Sequence, residues 1–391
     1  MNLPRIAALG AVLGFALPAL SLAKGKAPER PSRGSAATLS NGFMPDAHDV
    51  ERTGVVRNFH LYVNDGDWAF ADGTSTYIVS YVAFNEKFEE MPAGGTLPPP
   101  KIPAPTIRVK VGDEVHVFLH NSGHHHAGPN SQFKDVTHTI HFHGLDLVQA
   151  YDGVPGVPAK MLPEKVLGGV AVGDTFEYKF VATDEGTYVY HCHVDSSTHI
   201  LLGMYGAFIV EAKEPNTIYG YKYDHEYTLL LSEMDTTHND AIADQGTYDM
   251  SKWKSNVWLI NGRMFTADLT NKLSTIADPN SVIKAKEGET VLIRFIAIGF
   301  NHQFVMHPHA YHMKVVGTDG RKLDSPYWKD SLPVSSGERY DVLVPILGKK
   351  DKICLSCGLG PGISVMHDHN LQGETSDGKY PRGALTIFVI E

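Results

Sequence analysis

The stretches "TIRVKVGDEVHVFLHN" (106–121) and "VIKAKEGETVLIRFIA" (282–297) have one form: an alternating apolar segment, a turn at Gly, and a second alternating segment. Alternation with period two marks strands that bury one face. From about residue 55 the chain is built of such pieces, among them "HLYVND", "TYIVSYVAF", "TFEYKFVA", "GTYVYHCH" and "GAFIVEA", separated by Gly, Pro, Asp and Asn. Helical periodicity is scarce, and the turn spacing suits a β-sandwich. The correspondence continues along the chain. "HTIHFHG" is answered by "FVMHPHA", "YVYHCHV" by "SVMHDHN", and "GAFIVE" by "GALTIFVIE". Self-similarity on this scale means two copies of one plan. The chain is expected to be all-β, with two Greek-key sandwich domains at residues 55–215 and 216–391.

The 391 residues suit two domains of ordinary size. A formal charge of −10, with Lys and Arg spread along the chain, argues against a nucleic-acid surface. Arg5, the apolar run "IAALGAVLGFALPALSLA", and small Ser21 and Ala23 read as a cleaved export signal over residues 1–23. This predicts a periplasmic or secreted protein with no membrane span in its mature form. Residues 24–54, polar and rich in Pro, Gly and Ser, read as a flexible leader. Three cysteines do not make a disulfide scaffold. Cys354 and Cys357, in "CLSC", stand as two core cysteines or as a disulfide in a turn.

Histidine is the outlier, with 21 residues. Four pairs have the form His-x-His: His141 and His143, His191 and His193, His307 and His309, His367 and His369. Each ends a strand-like segment. Residues i and i+2 of a strand face one side, so each pair aims two imidazoles at one point. Two pairs come from each sandwich, and eight imidazoles at one interface can hold several metal ions.

Parity also separates Cys192 from its neighbours. If His191 and His193 face outward, Cys192 faces into its own sandwich. There it meets His199 and Met204 from the following loop, and His138, three residues before His141. A thiolate, two imidazoles and an axial thioether form the ligand set of a blue-copper centre. Zinc is the competing metal, and a Met ligand argues against it. In the second sandwich Asp368 occupies the position of Cys192, and Phe304 that of His138. A hard carboxylate makes no such centre, so the second sandwich is expected to supply cluster ligands alone. The triplet His124, His125 and His126, in a polar Gly- and Pro-containing loop, reads as solvent-exposed. His302 reads as a turn residue or one lying behind a ligand.

From about residue 55 to the end the chain resembles the multicopper oxidases. The resemblance rests on "APTIRVKVGDEVHVFLHN", "HFHGLDL…YDGVPGVP", "GDTFEYKF…GTYVYHCHV", "INGR" and "SSGERYDVLV". It is strongest to the two-domain, laccase-like type with its blue copper in the first cupredoxin-like domain. The resemblance implies four copper ions per chain. His138, Cys192, His199 and Met204 would hold the type 1 copper. His141 and His307 would hold the type 2 copper, and His143, His191, His193, His309, His367 and His369 the two type 3 coppers. It implies a proton-delivering role for Asp152 and a further acid at Asp195. Two departures stand out. Six residues separate Cys192 from His199, where typical laccases have four, and "HPHAYHM" replaces a more crowded histidine run. His312 in that run has the opposite parity to His307 and His309, so it is not expected to bind.

The activity expected is oxidation of a reducing substrate, phenolic or metal ion, at the type 1 copper through the solvent-facing edge of His199. Dioxygen would be reduced to water at the three-copper cluster. The resemblance, together with a short linker between the sandwiches, implies a homotrimer with clusters shared between subunits. Two alternatives are a copper nitrite reductase, which needs one cluster His beside the Cys, and a non-catalytic copper or electron carrier, which needs no cluster.

Overall fold

The computed structural model describes residues 50–129, 131–134, 136–155, 169–266, 279–347 and 362–391. The export segment, most of the leader, the end of "YDGVPGVP", and Cys354 and Cys357 lie outside the described residues. The first half runs through β1 (Val56–Ala69), β2 (Ser75–Val82), β3 (Ala104–Lys110), β4 (Glu114–His120), β5 (His141–His143), β6 (Thr175–Val181) and β7 (Gly186–His191). Helix α1 (Ser196–Leu202) then leads to β8 (Tyr205–Glu211). The strands form two facing sheets, ordered β2-β1-β4-β6 and β3-β8-β7-β5.

The second half opens with a ribbon of β9 (Thr217–Ile218) and β10 (Tyr221–Lys222), then β11 (His225–Met234), α2 (Thr236–Gln245), β12 (Val257–Ile260) and β13 (Phe265–Thr266). It continues with β14 (Ile283–Ala285), β15 (Thr290–Ile298), β16 (Phe304–Pro308), β17 (Met313–Thr318), β18 (Arg321–Lys329) and β19 (Leu332–Val334). The last strands are β20 (Arg339–Pro345), β21 (Gly362–Asp368), β22 (Arg382–Gly383) and β23 (Leu385–Ile390). The sheet orders are β12-β11-β15-β20-β17-β18 and β14-β23-β21-β16-β19. The first begins as β2-β1-β4-β6 does, and the second repeats β3-β8-β7-β5. Parallel pairs recur in the same places, β1 with β4 and β11 with β15, β3 with β8 and β14 with β23. The repeat seen in the sequence is a repeat of topology.

One local feature differs from its sequence pattern. The turn at Gly112 closes no hairpin, because β3 and β4 belong to opposite sheets. Asp113 secures this corner by accepting from Thr53 Oγ1 (2.7 Å), Arg57 Nε (3.1 Å) and Lys110 N (3.1 Å). The turn at Gly288 crosses between sheets in the same way.

Each sandwich has its own apolar core. A further cluster joins them, with Val189, Tyr205, Ala207 and Ile209 packed on Leu230, Ile296 and Ile298. All six residues of β7 are therefore buried, on both faces of the strand. Among the described residues no helix is long and apolar enough to cross a membrane.

A buried polar knot ties the halves together. Arg294 pairs with Asp341 (3.0 Å) and Glu226 (3.0 Å), and Arg108 of β3 also reaches Glu226 (2.7 Å). Thr187 of β7 and Tyr219 donate to the two oxygens of Asp341 (2.5 and 2.9 Å). Burial opposes the charge on Glu226, but the two guanidinium groups outweigh it and hold its carboxyl down at about 2. The folded value lies below that of the unfolded chain. The resulting stabilisation is complete above about pH 4.5 and is lost as pH falls toward 2. Glu226→Gln should lower the unfolding free energy at pH 7 by about 3 kcal/mol. It should also flatten the acid limb of stability below about pH 4.5, as measured by denaturant titration across pH.

Candidate metal centre

Strand register gathers the histidines. His141 of β5 lies directly across from His191 of β7, and His307 of β16 directly across from His367 of β21. Opposed residues of an antiparallel pair share a face, and the i+2 partners join them. In the first sandwich His141 has its ring centroid 5.6 Å from His143, 5.1 Å from His191 and 5.3 Å from His193. In the second, His307 lies 4.8 Å from His309 and 5.6 Å from both His367 and His369. His309 Nε2 and His367 Nε2 are 3.1 Å apart. All eight imidazoles of the four pairs thus form two quartets. Among the described residues, each group of ligand atoms close enough to share an ion draws on one sandwich alone.

The next residue along β7 reverses direction. Cys192 is fully buried, with its Sγ 3.7 Å from His138 Nδ1 and 3.2 Å from His199 Nδ1. The backbone closes the pocket: Cys192 N donates to Met204 O (3.1 Å), and Met204 N donates to His199 O (3.2 Å). The long Cys192–His199 spacing is absorbed by α1. Asp195 starts it with a left-handed φ of 40°, and His199 returns to the sulfur on the helical turn. Met204 is fully buried beside it.

The donors suit a metal. Bonds of about 2.3 Å to sulfur and 2.0 Å to nitrogen in a trigonal plane would set S and N about 3.7 Å apart, which matches His138, while His199 stands closer at 3.2 Å. Burial pushes the Cys192 thiol up to about 11. The thiolate therefore needs a cation to exist here. Burial likewise lowers His138, brings His199 to about 4 and His191 to about 3, and with the nearby Arg339 guanidinium brings His143 to about 4. Each of these rings is neutral at neutral pH and so offers one nitrogen lone pair, as ligation requires.

His141 is the exception. Burial opposes its protonation, but Asp152 outweighs burial and raises it, with Oδ1 3.2 Å and the carbonyl oxygen 2.6 Å from Nδ1. Asp195 is exposed, and its carboxylate accepts from Ser197 Oγ (2.9 Å) at the start of α1. His312 is exposed and faces Asp330 at 3.8 Å.

Two expectations are corrected. His199 has no solvent-facing edge. It is 2% exposed, because the ring of Phe133 meets it edge-on at 5.3 Å. His124 is not a solvated loop residue. It is 5% exposed, with Nε2 3.0 Å from His138 Nε2, because buried Asp65 draws the triplet loop inward through the N–H groups of His125, His126 and Ala127. His302 lies behind the second quartet, with Nε2 2.6 Å from Asp368 Oδ2, both groups buried.

Sequence reasoning missed four neighbours of the quartets. Glu374 pairs with His367 Nδ1. Asp330 and Ser331 face His307 Nδ1, and buried Arg339 from the second sandwich lies against Gly144 beside His143. Arg339 sits in the quoted "SSGERYDVLV" run, but nothing in a single sequence marks which side chain it would reach.

Models of the multicopper oxidase family match residues 99–215 and 225–368, together more than half of the chain. The chain belongs to the multicopper oxidase family. It is 26% identical over 327 residues to copper resistance protein A of Pseudomonas syringae pv. tomato, covering 71% of this chain and 48% of that one. It is 27% identical over 297 residues to an iron transport multicopper oxidase of Candida albicans, covering 75% and 39%. The chain spans less than half the length of these curated relatives. The crystal structure of a blue copper oxidase from Nitrosomonas europaea superposes with a TM-score of 0.64 at 26% identity, covering 86% of each chain. Both halves of this family member are thus cupredoxin-like sandwiches.

Gly153 seats Asp152. Its φ is +76°, and an added Cβ would stand 1.9 Å from the carbonyl oxygen of Ile140. Gly153→Ala should therefore cost about 2 kcal/mol in denaturant unfolding. The His141–Asp152 contact should be lost with it, read as a lower titration midpoint of His141 in the metal-free protein.

Proposed function

We propose that this multicopper oxidase couples oxidation of a reducing substrate to reduction of dioxygen to water, with four copper ions per chain. The observation that carries this reading is the back-to-back placement at the end of β7. Cys192 joins His138 and His199 on one face, while His191 and His193 join the quartet on the other. In this reading His138, Cys192, His199 and Met204 hold the type 1 ion. His141 and His307 hold the type 2 ion, and His143, His191, His193, His309, His367 and His369 hold the type 3 pair. Copper so held supplies one-electron uptake at the sulfur site and four-electron chemistry toward dioxygen at the histidine cluster.

The protein's own residues do the rest. One peptide unit on each side links Cys192 to His191 and His193, a short covalent route between the two faces. Burial of all four type 1 donors excludes water and keeps the reductant outside the ligand set, so donation is outer-sphere. Asp152 Oδ1 holds a proton position at His141 Nδ1 and serves as a proton donor at the cluster edge.

The cluster assigned here needs histidines of both sandwiches, and the two quartets of one chain share no ligand group. Ile363 and Val365, exposed on β21 in line with His367, lie beside the second quartet as an apolar rim. We therefore assign the assembly as a closed ring, a homotrimer, in which the first sandwich of one copy (55–215) meets the second sandwich (216–391) of the next. We infer a periplasmic or secreted location from the export-signal pattern of residues 1–23. Phenols and reducing metal ions both fit outer-sphere donation. Histidine on both flanks of Cys192 favours this reading over a nitrite reductase, and four coppers per chain against two separates them.

Cys192→Ser should abolish the intense visible copper–thiolate band and lower copper from four to three per chain. Oxygen uptake with a phenol or ferrous iron should fall at least 1000-fold, on the order of losing an essential group. A retained band would sink the proposal. Dilution to monomer should stop oxygen uptake while leaving the blue band, and uptake by isolated monomer would refute the shared cluster.

A further inference from the structure

Behind His138 stands an imidazole that ligation does not use. His138 turns Nδ1 toward Cys192 Sγ, so its other nitrogen, Nε2, is buried in the protein with the rest of the ring. A neutral imidazole that ligates through Nδ1 carries its hydrogen on Nε2 and needs an acceptor there. The atom facing it is Nε2 of His124, at 3.0 Å. His124 Nδ1 lies 2.5 Å from the carbonyl oxygen of Phe133. A carbonyl can only accept, so Nδ1 of His124 carries its hydrogen and Nε2 is left with a lone pair. The two rings are complementary in one arrangement: His138 Nε2–H donates to His124 Nε2, and the lone pair of His138 Nδ1 points at the sulfur side.

His124 is itself held firmly. Its ring stacks on Phe133 at 4.8 Å with planes 19° apart, and Phe133 in turn meets His199. Fully buried Asp65 of β1 accepts from the N–H groups of His125 (2.7 Å), His126 (2.8 Å) and Ala127 (3.0 Å), and from Tyr77 OH (3.0 Å). One carboxylate thus fixes the loop that carries the imidazole.

We propose that His124 is the positioning residue of the sulfur-bound copper site, setting the tautomer and the tilt of His138. The proposal rests on the reading of the Cys192 pocket as a copper site. It extends that reading to the residue that makes His138 a competent ligand.

Two substitutions test it. His124→Phe keeps the stacked plane and removes the acceptor, leaving a buried N–H without a partner. His124→Gln offers a side-chain oxygen near the lost nitrogen. Copper affinity of the blue site is read by chelator competition on the full-length protein, following the copper–thiolate band, with total copper and the melting temperature of the metal-free form measured alongside. For His124→Phe the affinity should fall about 10–100-fold with a shifted band. Copper at the histidine cluster should be unchanged, and His124→Gln should recover most of the affinity. Wild-type affinity and band in His124→Phe would overturn the proposal, as would a glutamine variant as weak as the phenylalanine one. If His124→Phe does not fold, Asp65→Asn, which loosens the same loop, should weaken the site in the same sense, and unchanged affinity there would overturn the proposal. A wild-type protein without the band would instead fail the copper reading on which this one stands.

Discussion

The register of β7 is the constraint on which the rest depends. It fixes His191 opposite His141 and opposite Tyr205, and lets Cys192 N reach Met204 O. A slip of one residue would reverse every side chain at the strand end. Cys192 would then face the quartet, and His191 and His193 would enter an apolar core. Register is held so firmly because β7 is buried on both faces, with Tyr188 and Tyr190 in the first core and Val189 against Leu230, Ile296 and Ile298 of the second half. The interface between the sandwiches is thus what specifies the metal geometry within the first.

Burial has a second consequence. The groups gathered here are kept neutral by low dielectric: a thiol pushed up and imidazoles pushed down. Neutral donors packed within a few ångströms repel little, and a cation that binds them displaces the thiol proton. His141 departs from this pattern because Asp152 lies against it, and Arg339 adds a cation near His143 from the other sandwich. The first quartet therefore carries both an acid and a base contact that the chain supplies from outside its strands.

Much of this was legible in the sequence because it follows from period-two alternation. The His-x-His pairs, the inward Cys192 and the repeat need strand parity and nothing else. Other features rest on long-range contacts that leave no local signature. His124 looked like part of a solvated loop, since only Asp65, some sixty residues earlier and in another strand, draws it in. His199 looked like a surface ligand until Phe133 covered it. The turn at Gly112 was legible, but alternation does not say which sheet each flanking strand joins. Glu374 sits in a polar run whose composition gives no hint that one carboxylate turns back to His367.

The second sandwich explains why one sulfur suffices. Asp368 holds the position of Cys192 and is equally buried, yet its carboxylate is already engaged on both oxygens. Oδ1 accepts from Val305 N (2.7 Å) and Asn370 N (3.0 Å), and Oδ2 faces His302 Nε2 at 2.6 Å. The duplicate pocket is thus closed by hydrogen bonds within the protein, where the first is built of neutral donors that call for an ion. A buried carboxylate met by three hydrogen-bonding groups has its desolvation offset within the protein. The flanking His367 and His369 still face outward beside His307 and His309. Both sandwiches therefore carry the outward quartet, which depends on strand parity. The inward site differs, with Cys192 in one sandwich and Asp368 in the other, while the strand register is the same.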